Sequence, residues 1–135
     1  MITAQNDQGE WLLHTRARQP FSGQVGFLYG KIHLGETIAE AAARELAEKS
    51  GLTGELTHRG DSYIYAYQGK DLIGAMLAHV FVATKPTGEL KGQAFWARVD
   101  DPSDQKYLPG FKEILQLLEK THRGRFFTEI VCQID

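Results

Sequence analysis

Strict alternation of apolar and polar positions runs through residues 62–68, Ser-Tyr-Ile-Tyr-Ala-Tyr-Gln, and sets Tyr63, Tyr65 and Tyr67 on one face of a strand. Gly69-Lys70-Asp71 predicts a hairpin connection into a second strand, Leu72 to Ala83. Upstream, Asn6-Asp7-Gln8-Gly9 reads as a turn between a short strand at about residues 1–5 and another from Glu10 to Thr15. Gly23, Gly26 and Gly30 punctuate a loop-rich stretch around Phe27-Leu28-Tyr29. Downstream, Lys85-Pro86-Thr87-Gly88 predicts a turn, and Gln93 to Val99 a further strand.

Two stretches change period. Thr37 with Glu40 three residues on forms a capping box, in which each side chain satisfies a backbone N–H at a helix start. Ile38, Ala42 and Leu46 follow at four-residue spacing, and Gly51 suits a left-handed helix end, so a helix is predicted over 38–50. Phe111, Ile114, Leu115 and Leu118 recur at helical spacing behind Pro109-Gly110 and predict a second helix at about 110–120. The order strands, helix, strands, helix implies an α/β fold: a mixed sheet with a helix on each face. No repeat, low-complexity tract or linker interrupts the chain, so residues 1–135 are expected to form a single domain.

Composition narrows the partners rather than the fold. At 135 residues the chain can bury a real core, and its formal charge of −2 carries no net footprint for nucleic acid or membrane. No nucleic-acid partner is expected. Cys132 is the only cysteine, which fits a reducing compartment and leaves no intrachain disulfide. The first residues lack the basic start and apolar stretch of a secretory signal, and no run approaches the roughly 18 apolar residues of a membrane span. A cytoplasmic location without membrane attachment is the expectation.

The chemistry concentrates on the first helix. Glu45 lies three residues before Glu48 and four before Lys49, so the three side chains leave one helical face, beside Arg44. Two readings stand side by side. Paired carboxylates can share a hard, oxygen-seeking cation such as Mg²⁺, which a diphosphate could bridge. Equally, Glu45 and Lys49 form a favourable i, i+4 ion pair on a solvated surface, with Lys49 suited to the helix C-terminus.

Spacing over a longer stretch brings in a resemblance. Gly30 is followed by five residues, Glu36, seven residues, and then Arg44-Glu45-Leu46-Ala47-Glu48-Lys49-Ser50-Gly51-Leu52. This resembles the signature of the Nudix family, and every fixed position matches except 49, where the family usually has a glutamate. Leu12-Leu13 in a strand before the motif, Trp96 in a strand after it and a terminal helix agree with it. The resemblance implies a Nudix-type α/β/α sandwich with a mixed β-sheet between helices. It implies a hydrolase that cleaves the diphosphate linkage of a nucleoside-diphosphate derivative by metal-assisted attack of water, using Mg²⁺ or Mn²⁺. Glu45 and Glu48 would bind metal and act in catalysis, with a backbone carbonyl of Tyr29 or Gly30 completing the coordination. Arg44 would orient the glutamates, Glu36 would brace the loop, and Gly51 would be structural. Arg44 and Glu36 could equally serve only to tie the loop to the helix. Arg16 and Arg18 stand where relatives sometimes contact substrate. Many relatives pair as homodimers, although no feature of this sequence demands it.

Three departures fall in this one predicted site. Lys49 offers no lone pair when protonated and sets a positive charge beside any bound ion. The usual Pro-Gly-Gly-Lys entry is Leu28-Tyr29-Gly30-Lys31, and Gln93-Ala94-Phe95 stands where acidic residues often precede the tryptophan. Together they predict weakened or rearranged metal binding. They keep open a second reading, a catalytically weak or inactive module that binds a nucleotide or a partner. The tyrosine stripe could stack on a base, though packing is the commoner use of such a stripe. His14, His33, His58, His79 and His122 show no metal-ligand spacing, and Cys132 reads as a small hydrophobe.

Overall fold

A computed structural model describes residues 1–121 and 124–134, so His122 lies outside the described residues. The chain runs β1 (Ile2–Ala4), β2 (Trp11–Thr15), β3 (Val25–Gly26), α1 (Ile38–Ser50), β4 (Leu52–Gln68), β5 (Asp71–Gly88), β6 (Ala94–Ala97), α2 (Phe111–Thr121) and β7 (Phe126–Ile134). One sheet has the order β1-β5-β4-β7 and is mixed: β4 and β5 are antiparallel, while β1 joins β5 and β7 joins β4 in parallel. A smaller antiparallel sheet has the order β3-β2-β6.

The larger sheet lies between the two helices, and alternation along β5 shows how. Phe81 and Ala83 pack with Ala42 and Leu46 of α1, whereas Val80 and Val82 pack with Phe111, Ile114, Leu115 and Leu118 of α2. Successive strand residues face opposite ways, so one strand feeds two cores. In β2, Leu12 joins the α1 core and Leu13 the α2 core, which is why both leucines are fully buried. The expected sandwich, a mixed sheet with helices on its two faces, is therefore the observed architecture. No helix among the described residues is long and apolar enough to cross a membrane.

Several expected boundaries shift. The strand expected at 62–68 is the outer end of a 17-residue β4, and β5 runs 18 residues, through the stretch expected to turn. Pairing of Thr53 with Thr87 and Leu52 with Gly88 carries the ladder past Pro86, and Lys85 absorbs the bend at φ +50°. The pattern of residues does not announce β7. Its apolar residues fall on both faces, with Ile130 and Cys132 buried but Phe127 and Val131 exposed, so no clean alternation marks it. The hairpin connection matches its expectation: Gln68 pairs with Asp71 around Gly69, whose φ of +61° suits a two-residue turn.

α1 begins and ends as its sequence dictates. Thr37 Oγ1 accepts from the Glu40 N–H, Glu40 accepts from the Thr37 N–H, and Gly51 closes the helix at φ +80°. The buried face differs from the expected stripe. Ile38 is exposed, and the residues turned inward are Ala41, Ala42, Glu45, Leu46 and Ser50. A carboxylate on the buried face of a helix is the first structural sign of a functional position.

Candidate cation and diphosphate site

The loop between β3 and α1 is held against β1 by a reciprocal pair of backbone hydrogen bonds. Ile2 N–H donates to the Leu28 carbonyl at 2.6 Å, and Leu28 N–H donates to the Ile2 carbonyl at 3.0 Å. This fixes the next carbonyl, that of Tyr29, over the buried face of α1. Glu45 rises from that face with 7% of its surface exposed. A Cβ on Gly30 would coincide with the Glu45 carboxylate, so only glycine allows the carboxylate to lie on the loop backbone.

Arg44 organises the acids. Its Nε donates to Glu36 Oε2 at 2.7 Å, and its Nη2 donates to Glu36 Oε1 at 3.0 Å and to the Lys31 carbonyl at 2.8 Å. Its Nη1 donates to Glu45 Oε1 at 2.8 Å and to Glu48 Oε2 at 3.2 Å. The guanidinium has five N–H groups in a fixed fork, and here they meet three carboxylates and one carbonyl. Glu36 also accepts the His33 N–H at 2.7 Å, which closes the loop onto the helix. The Arg44 hydrogen bonds, with that from His33, hold the Glu36 carboxyl down at about 2, while Glu36 and Glu45 together raise the Arg44 guanidinium above its usual value. Glu36 thus ties the loop to the helix by geometry alone, the plainer of its two expected roles.

Lys49 does not swing away. Its ammonium donates to the Tyr29 carbonyl and lies 3.4 Å from Glu45 Oε2. It stands between the two oxygens that the resemblance assigns to a metal. Glu45 Oε2 is buried and has no hydrogen-bond partner. An oxygen of this kind, beside a backbone carbonyl and near an acid on the rim, is a fitting donor for a hard cation. The residues present therefore fit a divalent ion, held by Glu45, the Tyr29 carbonyl and Glu48, on condition that the ammonium gives way. The i, i+4 ion pair of Glu45 with Lys49, expected in the plainer reading, does form, but with Glu45 buried; of the two glutamates only Glu48, 61% exposed, stands on a solvated surface.

The other expected residues are placed as follows. Around the Tyr29 ring, Arg16 Cζ and Lys49 Nζ lie 5.2 and 5.3 Å from the centroid, and the His14 ring meets it edge-on. Arg16 Nε donates to the carbonyls of Arg18 and Pro20, which holds the guanidinium by one of its three nitrogens. Arg18 is exposed, and the structure brings only its carbonyl into this network. Gly51 sits under the Glu89 carbonyl, where a side chain has no room. Tyr63 and Tyr65 meet at 4.5 Å, and the Tyr65 hydroxyl donates to Glu129 at 2.9 Å, which ties the tyrosine stripe to β7.

Burial, reinforced by Lys49 and Arg16, pushes the His14 imidazole down from 6.5 to about 4. A base whose folded value is depressed favours the neutral form, so its protonation in the unfolded chain drains stability. The contribution is present above about 6.5 and is lost as pH falls towards 4. Thermal unfolding followed between pH 7 and pH 4 is expected to show a smaller drop in His14→Gln than in the native chain. Equal slopes for the two proteins would remove His14 from the account.

The histidines show no metal-ligand spacing along the chain, yet the fold brings two of them together at one carboxylate. His58 Nε2 and His79 Nδ1 each lie 2.8 Å from the same oxygen, Asp61 Oδ1. Sequence spacing hides this group because His79 comes from a different strand, and because His58 and Asp61 are three positions apart along β4, a spacing that on a regular strand sets them on opposite faces.

The family model of the NUDIX domain matches residues 1–126. Over 81 residues the chain is 36% identical to an oxidized purine nucleoside triphosphate hydrolase of Danio rerio, a match covering 60% of this chain and 51% of that protein. Over 80 residues it is 32% identical to an ADP-ribose pyrophosphatase of Methanocaldococcus jannaschii, covering 59% of this chain and 46% of that one. The matched stretch is thus about half the length of those relatives. Among solved structures, a MutT protein from Bacillus halodurans superposes with a TM-score of 0.71 over 94% of this chain and 87% of that one, at 23% identity, a likeness of fold. Together with the box from Gly30 to Leu52 and the sandwich around it, the match over nearly the whole chain shows that this protein belongs to the Nudix family.

Proposed function

We propose that the chain is a hydrolase of the diphosphate linkage in a nucleoside-diphosphate derivative. The observation that carries this reading is the buried Glu45 Oε2, which accepts no hydrogen bond and lies beside the Tyr29 carbonyl with only the Lys49 ammonium near it, in an acid cluster collected by Arg44. A buried carboxylate oxygen that accepts no hydrogen bond is costly, and a site that keeps one has a use for it. Similarity to a nucleoside triphosphate hydrolase and an ADP-ribose pyrophosphatase supports the substrate class.

In this reading Glu45, Glu48 and the Tyr29 carbonyl hold Mg²⁺ or Mn²⁺, with Gly30 keeping the loop backbone close. When bound, the ion lowers the pKa of a coordinated water and offsets charge on the leaving phosphate. The chain's own work is positional. Arg44 fixes the carboxylate orientations, Glu36 anchors Arg44 to the loop, and Lys49 either vacates the cation position or contacts phosphate oxygens from it. Arg16, beside Tyr29 and held through Nε, would meet the substrate with its two terminal amino groups. A single domain in a reducing, cytoplasmic setting suits the lone buried Cys132.

A specific observation favours a second reading, binding without turnover: Lys49 already neutralises the two strongest cation donors. A nucleotide panel assayed with Mg²⁺ and Mn²⁺ separates the two. Turnover by the native chain that falls at least about tenfold in Glu48→Gln supports the hydrolase, in line with the loss expected when a metal-site group is removed. Binding of the panel without turnover, with activity appearing only in Lys49→Glu, supports the binding module.

A further inference from the structure

A second group of ligand-type atoms lies outside the Nudix box, on β4 and β5. His58 Nε2, Asp61 Oδ1 and His79 Nδ1 all lie within 4.8 Å of one another, and both imidazoles converge on the one carboxylate oxygen at 2.8 Å. The side chains are 29%, 32% and 25% exposed, so the group is walled by the sheet yet open on one side.

The backbone is built to bring these three together. Residues three apart on a regular strand point to opposite faces. Here the register shifts between His58 and Gly60: His58 pairs with Phe81 and Gly60 with Val80, which leaves Arg59 as an extra residue. That bulge reverses the parity and returns Asp61 to the face of His58, directly across from His79. Arg59 is turned the other way, where its Nη2 donates to the Leu118 carbonyl at 3.2 Å and to Thr121 Oγ1 at 3.0 Å on α2. Gly60 has no room for a Cβ, because the Phe126 carbonyl and ring of β7 close over it. The Phe81 ring packs 5.2 Å from the His58 ring, centroid to centroid, and limits its rotation.

We propose that His58 Nε2, Asp61 and His79 Nδ1 bind a divalent first-row transition ion such as Zn²⁺, at a site separate from the Nudix box. Two imidazoles and one carboxylate suit such an ion, whereas Mg²⁺ prefers oxygen alone. With donors about 2.1 Å from the ion, a 2.8 Å nitrogen-to-oxygen separation subtends about 85°, nearer an octahedral edge than a tetrahedral one. The exposed side of the group leaves positions on the ion for water or a ligand. Binding requires each ligating nitrogen to present its lone pair, so the hydrogen bonds to Asp61 are exchanged for bonds to the ion. This site stands independently of the hydrolase reading.

Calorimetric titration of the native chain with Zn²⁺ in buffer free of other metals is expected to show one saturable equivalent. Asp61→Ala and His79→Gln are each expected to weaken it at least tenfold, while Glu45→Gln and excess Mg²⁺ leave it in place. Should either of the two ligand variants fail to fold, Co²⁺ added to the native chain serves instead: ring resonances of His58 and His79 should broaden before those of His14 and His33. The proposal is overturned if the native chain shows no saturable binding, if folded Asp61→Ala gives the native isotherm, or if Glu45→Gln abolishes it. Broadening confined to other histidines would overturn it as well.

Discussion

Lys49→Glu is expected to bind Mg²⁺ and Mn²⁺ at least a hundredfold more tightly than the native chain. The native ammonium donates to the Tyr29 carbonyl and pairs with Glu45 Oε2, so an incoming ion must first displace it. At about 4 Å and an effective dielectric near 20, a divalent ion and a unit charge interact by roughly 8 kcal/mol. Exchanging a positive for a negative charge there changes the sum by roughly 16 kcal/mol before solvation and relaxation. The Lys49 side chain is 36% exposed, so most of that is screened. Retaining even a fifth, roughly 3 kcal/mol, changes Kd more than a hundredfold. Lys49→Met separates loss of the cation from gain of an acid. It leaves the Tyr29 carbonyl and the buried Glu45 oxygen without their shared partner, so it should unfold at lower temperature in EDTA and recover with Mg²⁺. Isothermal titration and thermal unfolding with and without metal read both effects. Equal metal affinity in the native chain and Lys49→Glu would show that the ammonium does not hold the ion's position.

In the proposed hydrolase, Arg44→Met is expected to reduce diphosphate hydrolysis about a hundredfold while leaving most of the fold in place. One guanidinium holds Glu36, Glu45 and Glu48, and methionine keeps the helix propensity and much of the stem volume. Without the fork, the loop carrying Tyr29 and Gly30 loses its link to the helix through Glu36 and the Lys31 carbonyl. The two box carboxylates then repel across one helical turn. A displacement of about 1 Å at such a site costs on the order of a hundredfold in rate. Hydrogen exchange should rise in residues 30–36 and remain native in β4 and β5 if the role is positional. Unchanged turnover in a folded Arg44→Met protein would make the cluster a tie between loop and helix and nothing more.

Much of the site is legible in the order of residues alone. Gly30, Glu36, Arg44, Glu45, Glu48 and Gly51 lie within one loop and one capped helix, where spacing along the chain translates directly into position. The oddity at Lys49 is legible for the same reason. Its consequence is not, because whether a flexible side chain swings into solvent or meets the Tyr29 carbonyl depends on where β1 holds the loop. The histidine group is illegible. Parity along β4 is reversed by a single extra residue, Arg59, and what selects that bulge is the closeness of β7 to Gly60 and the docking of Arg59 on α2.

The capped helix, the hairpin at Gly69, the two-helix arrangement around a mixed sheet and the family can all be read from the order of residues, since each rests on local periodicity or fixed spacing. Long-range packing, by contrast, buries Glu45 while leaving Glu48 exposed, sets Lys49 in the gap between carbonyl and carboxylate, and brings His58 and His79 to Asp61. The physical reason is one of range. Hydrogen bonds and side-chain periodicity within an element act over a few residues, whereas burial, register and the meeting of charges from different strands are set by elements that the chain brings together from far apart.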